Sequence, residues 1–327
     1  MSVAAFEPTP NPERAVSERT RQRISDGMSD NTRRAYDRNL TAFTAWCSST
    51  GRSPLPCTAE TVAEYVTVLC DAGRAPATVE QHIAAIRTAH RLAGYEHQPV
   101  TTAARLVLRS YRRERAQTGK RTRKAPPMVL DALRPMVEAS NPDAAAGLRD
   151  RLLLVLGFAL MGRRSELAAL NLDDVAETAD GLLVTIRMSK TDQDAVGEEV
   201  AIPRGQHADT DPVRILAAWR ALLAENGITG GRLLRGVDRH GRIGESISTD
   251  GINRAVRTAA LRAKVPNAEK YTAHSLRAGG ATASYKAGNP VSAIAQHGRW
   301  AEKSPVVLGY IRSVDKWTSN PMNGVGL

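Results

Sequence analysis

Apolar positions recur at helical spacing along most of this chain, first from Ser29 onward. Tyr36, Leu40, Phe43 and Cys47 share one face, and Asp30 or Asn31 stands where a capping residue opens a helix. The stretch from Thr58 repeats the pattern with Val62, Tyr65, Val66 and Leu69, and Gly73 suits its C-terminal stop. Thr78 and Gln81 have the spacing of a capping box for a third helix, with Val79, Ile83 and Ile86 on its apolar face. A fourth runs through Thr102–Gln117 and lines Arg105, Arg109, Arg112, Arg113 and Arg115 along one side. The pattern predicts a small all-helical domain over residues 21–116, after a proline-rich stretch, residues 1–20, with the composition of a disordered tail.

From Met128 a second block begins, residues 128–327. Met128–Ser140 and Leu148–Gly162 read as helices, the second apolar almost all round and therefore central. Another helix follows from Arg163. Gly181–Lys190 and Glu198–Pro203 then alternate apolar and polar residues, which predicts a hairpin or small antiparallel sheet. Helical spacing resumes at Asp211–Gly227, Gly251–Ala263, His274–Gly288, Pro290–Gly298 and Pro305–Arg312. The fold class is mostly α, with an all-helical first domain and an α+β second domain built around one small sheet.

Composition narrows the function. A chain of 327 residues suits two domains rather than one. The longest apolar run, Leu152–Gly162, is too short to span a bilayer, and no basic-then-apolar leader opens the chain, so neither a membrane nor export is expected. Cys47, Cys57 and Cys70 lack metal-ligand spacing and leave one cysteine unpaired, which fits a reduced, cytoplasmic protein. The net charge of +11 calls for a polyanion, and the densest positive stretch is the linker at residues 117–127. It carries Lys120, Arg121, Arg123 and Lys124 without an acid, as a solvated linker or as a clasp on DNA.

Candidate chemistry sits in the second block, and each piece is weak alone. Arg163 and Glu166 stand three apart at a helix start. Lys190 lies at the tip of the predicted hairpin, in a chain with 8 lysines against 37 arginines. His274 and Arg277 have H-x-x-R spacing, which chance alone would supply about once at this composition. Trp300 precedes Tyr310 by ten residues. Together they form a coherent set for attack on a phosphodiester. Guanidinium forks meet the charge on non-bridging oxygens. A tyrosine, with a pKa near 10, needs an acceptor or a cationic field to act as nucleophile. A lysine can protonate the leaving alkoxide. No Walker loop, acidic cluster or Cys/His quartet suggests a metal or nucleotide, so no cofactor is expected.

In this order the motifs resemble those of the tyrosine recombinase (phage integrase) family, in particular its Cre-like members. GRRSELAAL supplies Arg163, with Arg164 as its neighbour; SKTDQ supplies Lys190, HSLRAGG supplies His274 and Arg277, GRW supplies Trp300 and GYIRSVD supplies Tyr310. The helical stretches upstream look like the family's SAM-like core-binding domain. Trp300 to Tyr310 is about one residue longer than the usual family spacing, which keeps His297 as the alternative at the tryptophan place and implies a loop absorbed near Lys303 to Pro305. Tyr271 and Tyr285 do not follow the G-x-W element.

The resemblance implies a two-domain clamp on double-stranded DNA that works as a homotetramer on paired inverted-repeat core sites, in the cytoplasm and associated with the nucleoid. Arg163 and Arg277 would grip the scissile phosphate, and Trp300 would donate to a non-bridging oxygen. His274 would manage the tyrosine proton, Lys190 would protonate the 5′ oxygen, and Tyr310 would form a 3′-phosphotyrosyl bond ahead of a Holliday junction. Glu166 would orient its neighbours. Arg105, Arg109, Arg112, Arg113, Lys120, Arg121, Arg123 and Lys124 would contact DNA. About 28 residues precede the first predicted helix, too few for the family's extra arm-binding module, and the tail after Tyr310 would dock on the next subunit. A topoisomerase of type IB chemistry and a catalytically silent DNA-binding protein of the same fold are the alternatives.

Overall fold

The structure is a computed structural model that describes residues 17–95, 97–120, 125–187, 197–301, 304–310, 322, 323 and 325. The chain divides into two compact units, Met1–Arg123 and Lys124–Leu327. The division falls inside the basic stretch between the two predicted blocks.

The first unit contains α1 (Glu18–Asp26), α2 (Asp30–Ser49), α3 (Ala59–Asp71), α4 (Pro76–Leu92) and α5 (Thr102–Gln117). The apolar stripes of the sequence are its core. Leu40, Phe43 and Cys47 of α2 meet Val62, Tyr65 and Val66 of α3 and Val79, Ile83 and Ile86 of α4. His90 closes the lower end of this core. Its Nδ1 faces the Ile86 carbonyl at 2.8 Å and its Nε2 accepts from the Cys57 N–H at 2.9 Å, so the proton resides on Nδ1. Helix α1 begins inside the stretch expected to be tail, and no apolar stripe announces it, since ERTRQRISD carries only Ile24 as a large apolar residue. Ser29, rather than Asp30 or Asn31, caps α2. Helix α4 starts two residues before Thr78, because Pro76 occupies a first-turn position where its missing N–H has no partner to lose.

The second unit is built on α7 (Ala145–Ala159), whose leucines at 152–154 and 156 are fully buried. Around it pack α6 (Leu130–Glu138), α9 (Pro212–Glu225), α10 (Thr249–Arg262) and α11 (Ala273–Lys286). Strands β1 (Val175–Glu177), β2 (Gly181–Ile186) and β3 (Glu198–Pro203) form an antiparallel sheet in that order. Val184 pairs with Val175 on one side and Val200 on the other, and all three turn into the core. Trp219 of α9 is fully buried and its indole N–H donates to the Leu233 carbonyl at 2.8 Å. The short α8 (Arg164–Ala169) and α12 (Val291–His297), with helical residues 305–310, complete the part that carries the candidate chemistry.

Two glycines set the depth of α11. A Cβ on Gly279 would lie 1.9 Å from the Met128 carbonyl oxygen, and one on Gly280 would lie 2.3 Å from that of Phe158. The helix therefore rests directly on the backbone of α7 and of the strand-like entry to α6, and the Met128 N–H donates to the Ser275 carbonyl at 2.9 Å. This seating fixes where His274 and Arg277 emerge. Gly279→Ala is expected to lower the thermal unfolding midpoint by several degrees, as overpacked sites do. Circular dichroism melting checks it, and an unchanged midpoint would contradict the contact.

Candidate active site

Two chain reversals and the start of α11 bring the candidate residues together. Helix α7 ends at Ala159, and Met161 takes a left-handed conformation (φ 48°) that turns the chain into Arg163 and α8. Helix α11 presents His274 and Arg277 from its first turns. Helix α12 ends at Gly298, after which Arg299, also left-handed (φ 55°), swings Trp300 back. A Cβ on Gly298 would fall 1.7 Å from the Trp300 ring, so only glycine lets the indole fold back here.

Arg163 and Arg277 are both held by backbone carbonyls at this junction. Arg277, 3% exposed, donates from Nη1 to the Met161 carbonyl and from Nη2 to the Gly298 carbonyl at 2.5 Å. The Trp300 ring stacks on it, 3.8 Å from Cζ to the ring centroid. Arg163 donates from Nη2 to the Arg299 carbonyl at 2.8 Å and from Nη1 to Glu166 Oε1 at 2.5 Å. Each guanidinium has five N–H donors, so these partners leave donors on both for an oxyanion. Burial first, then the Arg163 charge, press Arg277 down to about 9, which keeps it cationic at neutral pH.

Glu166 sits beneath them with its carboxylate shared. Oε2 accepts from the Arg163 backbone N–H at 2.9 Å and from Arg299 Nη2 at 2.9 Å. Burial by itself raises this carboxyl, but Arg299, the N–H groups of Arg163 and its charge outweigh burial and hold it below the usual carboxylate range. Glu166 therefore stays ionised. The left-handed Arg299 backbone costs roughly 1–2 kcal/mol for a residue with a Cβ.

The Tyr310 hydroxyl lies 2.8 Å from His274 Nε2. Burial chiefly, with the Arg277 charge behind it, lowers His274, so its ring is neutral and offers a lone pair to the phenol. Burial raises Tyr310 while Arg277 pulls the other way. The phenol and Trp300 rings meet edge to face at 6.1 Å between centroids. A neutral acceptor on the phenol, beside two fixed cations, is the arrangement that activates a tyrosine oxygen towards a phosphodiester.

Arg163, Glu166, His274, Arg277, Trp300 and Tyr310 thus converge. Lys190 lies outside the described residues, as do Lys303 and the stretch from 311 to 321 after Tyr310. The Ser304 N–H donates to the Ala301 carbonyl at 2.9 Å. His297 is engaged elsewhere, with Nε2 2.7 Å from the Ala159 carbonyl. Tyr271 is buried in the main core, and Tyr285 packs behind Trp300. Arg299 had no signal in the sequence beyond its place in GRW; its partner Glu166 lies 133 positions upstream.

In the first unit, Arg105, Arg109 and Arg112 line a groove of about 410 Å³ between α4 and α5, and Arg87 and Arg91 of α4 join them. That pair, four apart on one helix face, was not singled out from the sequence. Arg112 pairs with Glu80 at 2.8 Å, whereas Arg113 and Lys120 are exposed. Arg121, Arg123 and Lys124 fall outside the described residues. No described helix is long and apolar enough to cross a membrane.

Comparison with known proteins places these features in context. Residues 23–97 match the model of the phage integrase N-terminal SAM-like domain. The chain is 32% identical over 209 residues to an integrase/recombinase xerD homolog of Selenomonas ruminantium, covering 62% of this chain and 60% of that protein. Over 326 residues it is 26% identical to the recombinase cre of Escherichia phage P1, covering 93% and 92%. The fold resembles that of the XerH site-specific recombinase in its complex with a palindromic difH substrate (TM-score 0.59, 14% identity, 97% of this chain and 91% of that one). It also resembles a lambda integrase fragment bound to a core site (TM-score 0.56, 16% identity, 88% and 93%).

Because the folded Glu166 carboxyl is depressed, its contribution to stability is complete above the unfolded value, near 4.3, and is lost as pH falls through the folded one. Glu166→Gln leaves the buried Arg299 and the part-buried Arg163 without their anion, and is expected to cost roughly 3–5 kcal/mol at pH 7. The gap to the parent should shrink as pH falls below the unfolded value and on through the lower folded one, where the parent carboxyl takes up its own proton. Urea denaturation across pH 3–7 checks this; a gap that does not change with pH would contradict it.

Proposed function

The chain belongs to the tyrosine recombinase, or phage integrase, family, and on that premise we propose that it cuts and rejoins DNA at specific sites through Tyr310. The observation that carries this reading is the Tyr310 hydroxyl at 2.8 Å from a neutral His274, beside an Arg277 whose donors are fixed by backbone carbonyls.

In the proposed cleavage step, Tyr310 Oη attacks the scissile phosphorus as its proton passes to His274 Nε2. The bond from phosphorus to the 5′ oxygen breaks, and Lys190 supplies the proton that this alkoxide needs. The 3′ phosphate is then esterified to Tyr310, and the energy of the old ester is retained in the new one. Charge that grows on the non-bridging oxygens falls to Arg163 and Arg277, with the Trp300 indole N–H as a further donor. Attack by a 5′ hydroxyl from another strand reverses the chemistry and gives strand exchange. The basic groove between α4 and α5, together with Arg113, Lys120 and the residues of the 117–127 segment, would neutralise backbone phosphates. Four copies on two inverted-repeat core sites, joined through a Holliday junction, is the assembly this reading implies, acting on DNA in the cytoplasm. The chain spans about 60% of the length of the Selenomonas relative in their match, and nearly the whole of the phage P1 protein.

A nicked suicide substrate carrying the target site, which loses its short 5′-hydroxyl fragment after cleavage, is expected to trap a protease-sensitive covalent adduct with the parent protein. Tyr310→Phe should give none, and His274→Gln should slow its formation by about 10²- to 10⁴-fold. A Tyr310→Phe adduct, or no adduct from the parent, would sink the reading. Relaxation of a plasmid that lacks sites would favour the topoisomerase instead. The rate of adduct formation should be level with pH around neutrality. It should fall in acid as His274 protonates, at a pH below the ordinary histidine value near 6.5, because burial and Arg277 depress it. A fall centred well above 6.5 would contradict the assigned acceptor.

A further inference from the structure

The side chain of Arg299 is sealed from solvent, at 0% exposed, so Arg299 cannot itself touch a phosphate. Yet it is tied to the machinery by both its backbone and its side chain. Its carbonyl accepts from Arg163 Nη2 at 2.8 Å, and its guanidinium donates to Glu166 Oε2 at 2.9 Å, to the His297 carbonyl at 3.0 Å and to the Leu160 carbonyl at 3.2 Å. The Leu160 contact runs back to the end of α7, next to the Met161 carbonyl that holds Arg277. The flanking Gly298 carbonyl holds the other amino group of Arg277.

We propose that Arg299 is a positioning residue for strand cleavage, which sets both the orientation and the effective charge of Arg163 through Glu166. The inference rests on the recombinase reading above. Two arguments carry it. Orientation comes first: with Oε2 occupied by Arg299 and by the Arg163 N–H, the carboxylate plane is fixed and Oε1 is aimed at Arg163 Nη1. Charge comes second. A carboxylate paired with Arg163 alone would cancel most of the field that Arg163 can exert on a phosphate. A second guanidinium on the same carboxylate leaves the trio with one net positive charge, and Arg163 is the member that presents it to solvent, because the Arg299 side chain is sealed. The backbone supports this assignment. A glycine would adopt φ 55° without strain, so an arginine held there in a left-handed conformation is retained against a local cost by what its side chain does.

The test measures single-turnover cleavage of the nicked substrate, with site affinity measured separately by gel shift. Arg299→Met should slow adduct formation about 10- to 100-fold, as small misplacements at a reacting centre do, with DNA affinity within twofold of the parent. Arg299→Lys keeps the charge and should recover part of the rate. Arg299→Gly relieves the backbone, so it should stay folded, and millimolar guanidinium ion should restore cleavage in it but not in the parent. The losses in Arg299→Met and Glu166→Gln should fail to multiply in the double variant, because both act through one carboxylate. A parental rate in Arg299→Met, or fully multiplicative losses, would overturn the inference while leaving the recombinase reading intact. An Arg299→Met protein that does not fold leaves the glycine variant to decide: slow cleavage without any rescue by guanidinium would also overturn it. No adduct from the parent protein would remove both.

Discussion

Everything at the junction of α7, α11 and α12 depends on one carboxylate. Glu166 is 2% exposed in its side chain and is contacted by Arg163 and Arg299. Glu166 and Arg299 are sealed from solvent and Arg163 is part-buried, so the three charges are stable only as a set, since removal of one strands the others. That constraint couples the start of α8 to the turn after α12, which are far apart in sequence. It is also what allows a site with so much positive charge to exist before any DNA is present. The carbonyls of Met161, Gly298 and Arg299 complete the arrangement by taking up inner donors of Arg163 and Arg277.

The same surroundings account for the tyrosine. Burial disfavours the charged form of both partners in the Tyr310–His274 contact, so each is neutral before reaction and the proton has a defined path. The cationic field of Arg277 works in the opposite sense on the phenol, favouring its anion. A phosphate bound at Arg163 and Arg277 would cancel part of that field in the ground state, and the developing charge of the reaction would use it. The Trp300 ring adds a wall on one side of Arg277 and an edge for the Tyr310 ring, so the arginine and the tyrosine are placed against the same indole.

Much of this was legible in the sequence, for physical reasons that differ by element. The stripes of α2, α3 and α4 could be read because each helix buries one face only. Helix α1 could not, since its nine residues hold hardly any apolar surface. Strand β1 is three residues long and has meaning only through its pairing with β2. Arg163, His274, Arg277, Trp300 and Tyr310 carried a signal in their order along the chain. Arg299 carried none, because its role is defined by a partner 133 positions away and by a backbone angle. The stacking of Trp300 on Arg277 was hidden in the same way: a motif records which residues are present, whereas the Gly298 turn decides which group the indole meets. The pair Arg87 and Arg91 was open to reading by spacing alone, and helix faces beyond the apolar one repay that attention.

The central claim is that Tyr310, and no other tyrosine, becomes joined to DNA. The most direct measurement is to trap the adduct on a nicked substrate, digest the protein and identify by mass spectrometry the peptide that carries nucleotide. The account predicts a single modified peptide, with the phosphodiester on Tyr310. Nucleotide on Tyr271, on Tyr285 or on a serine would contradict it.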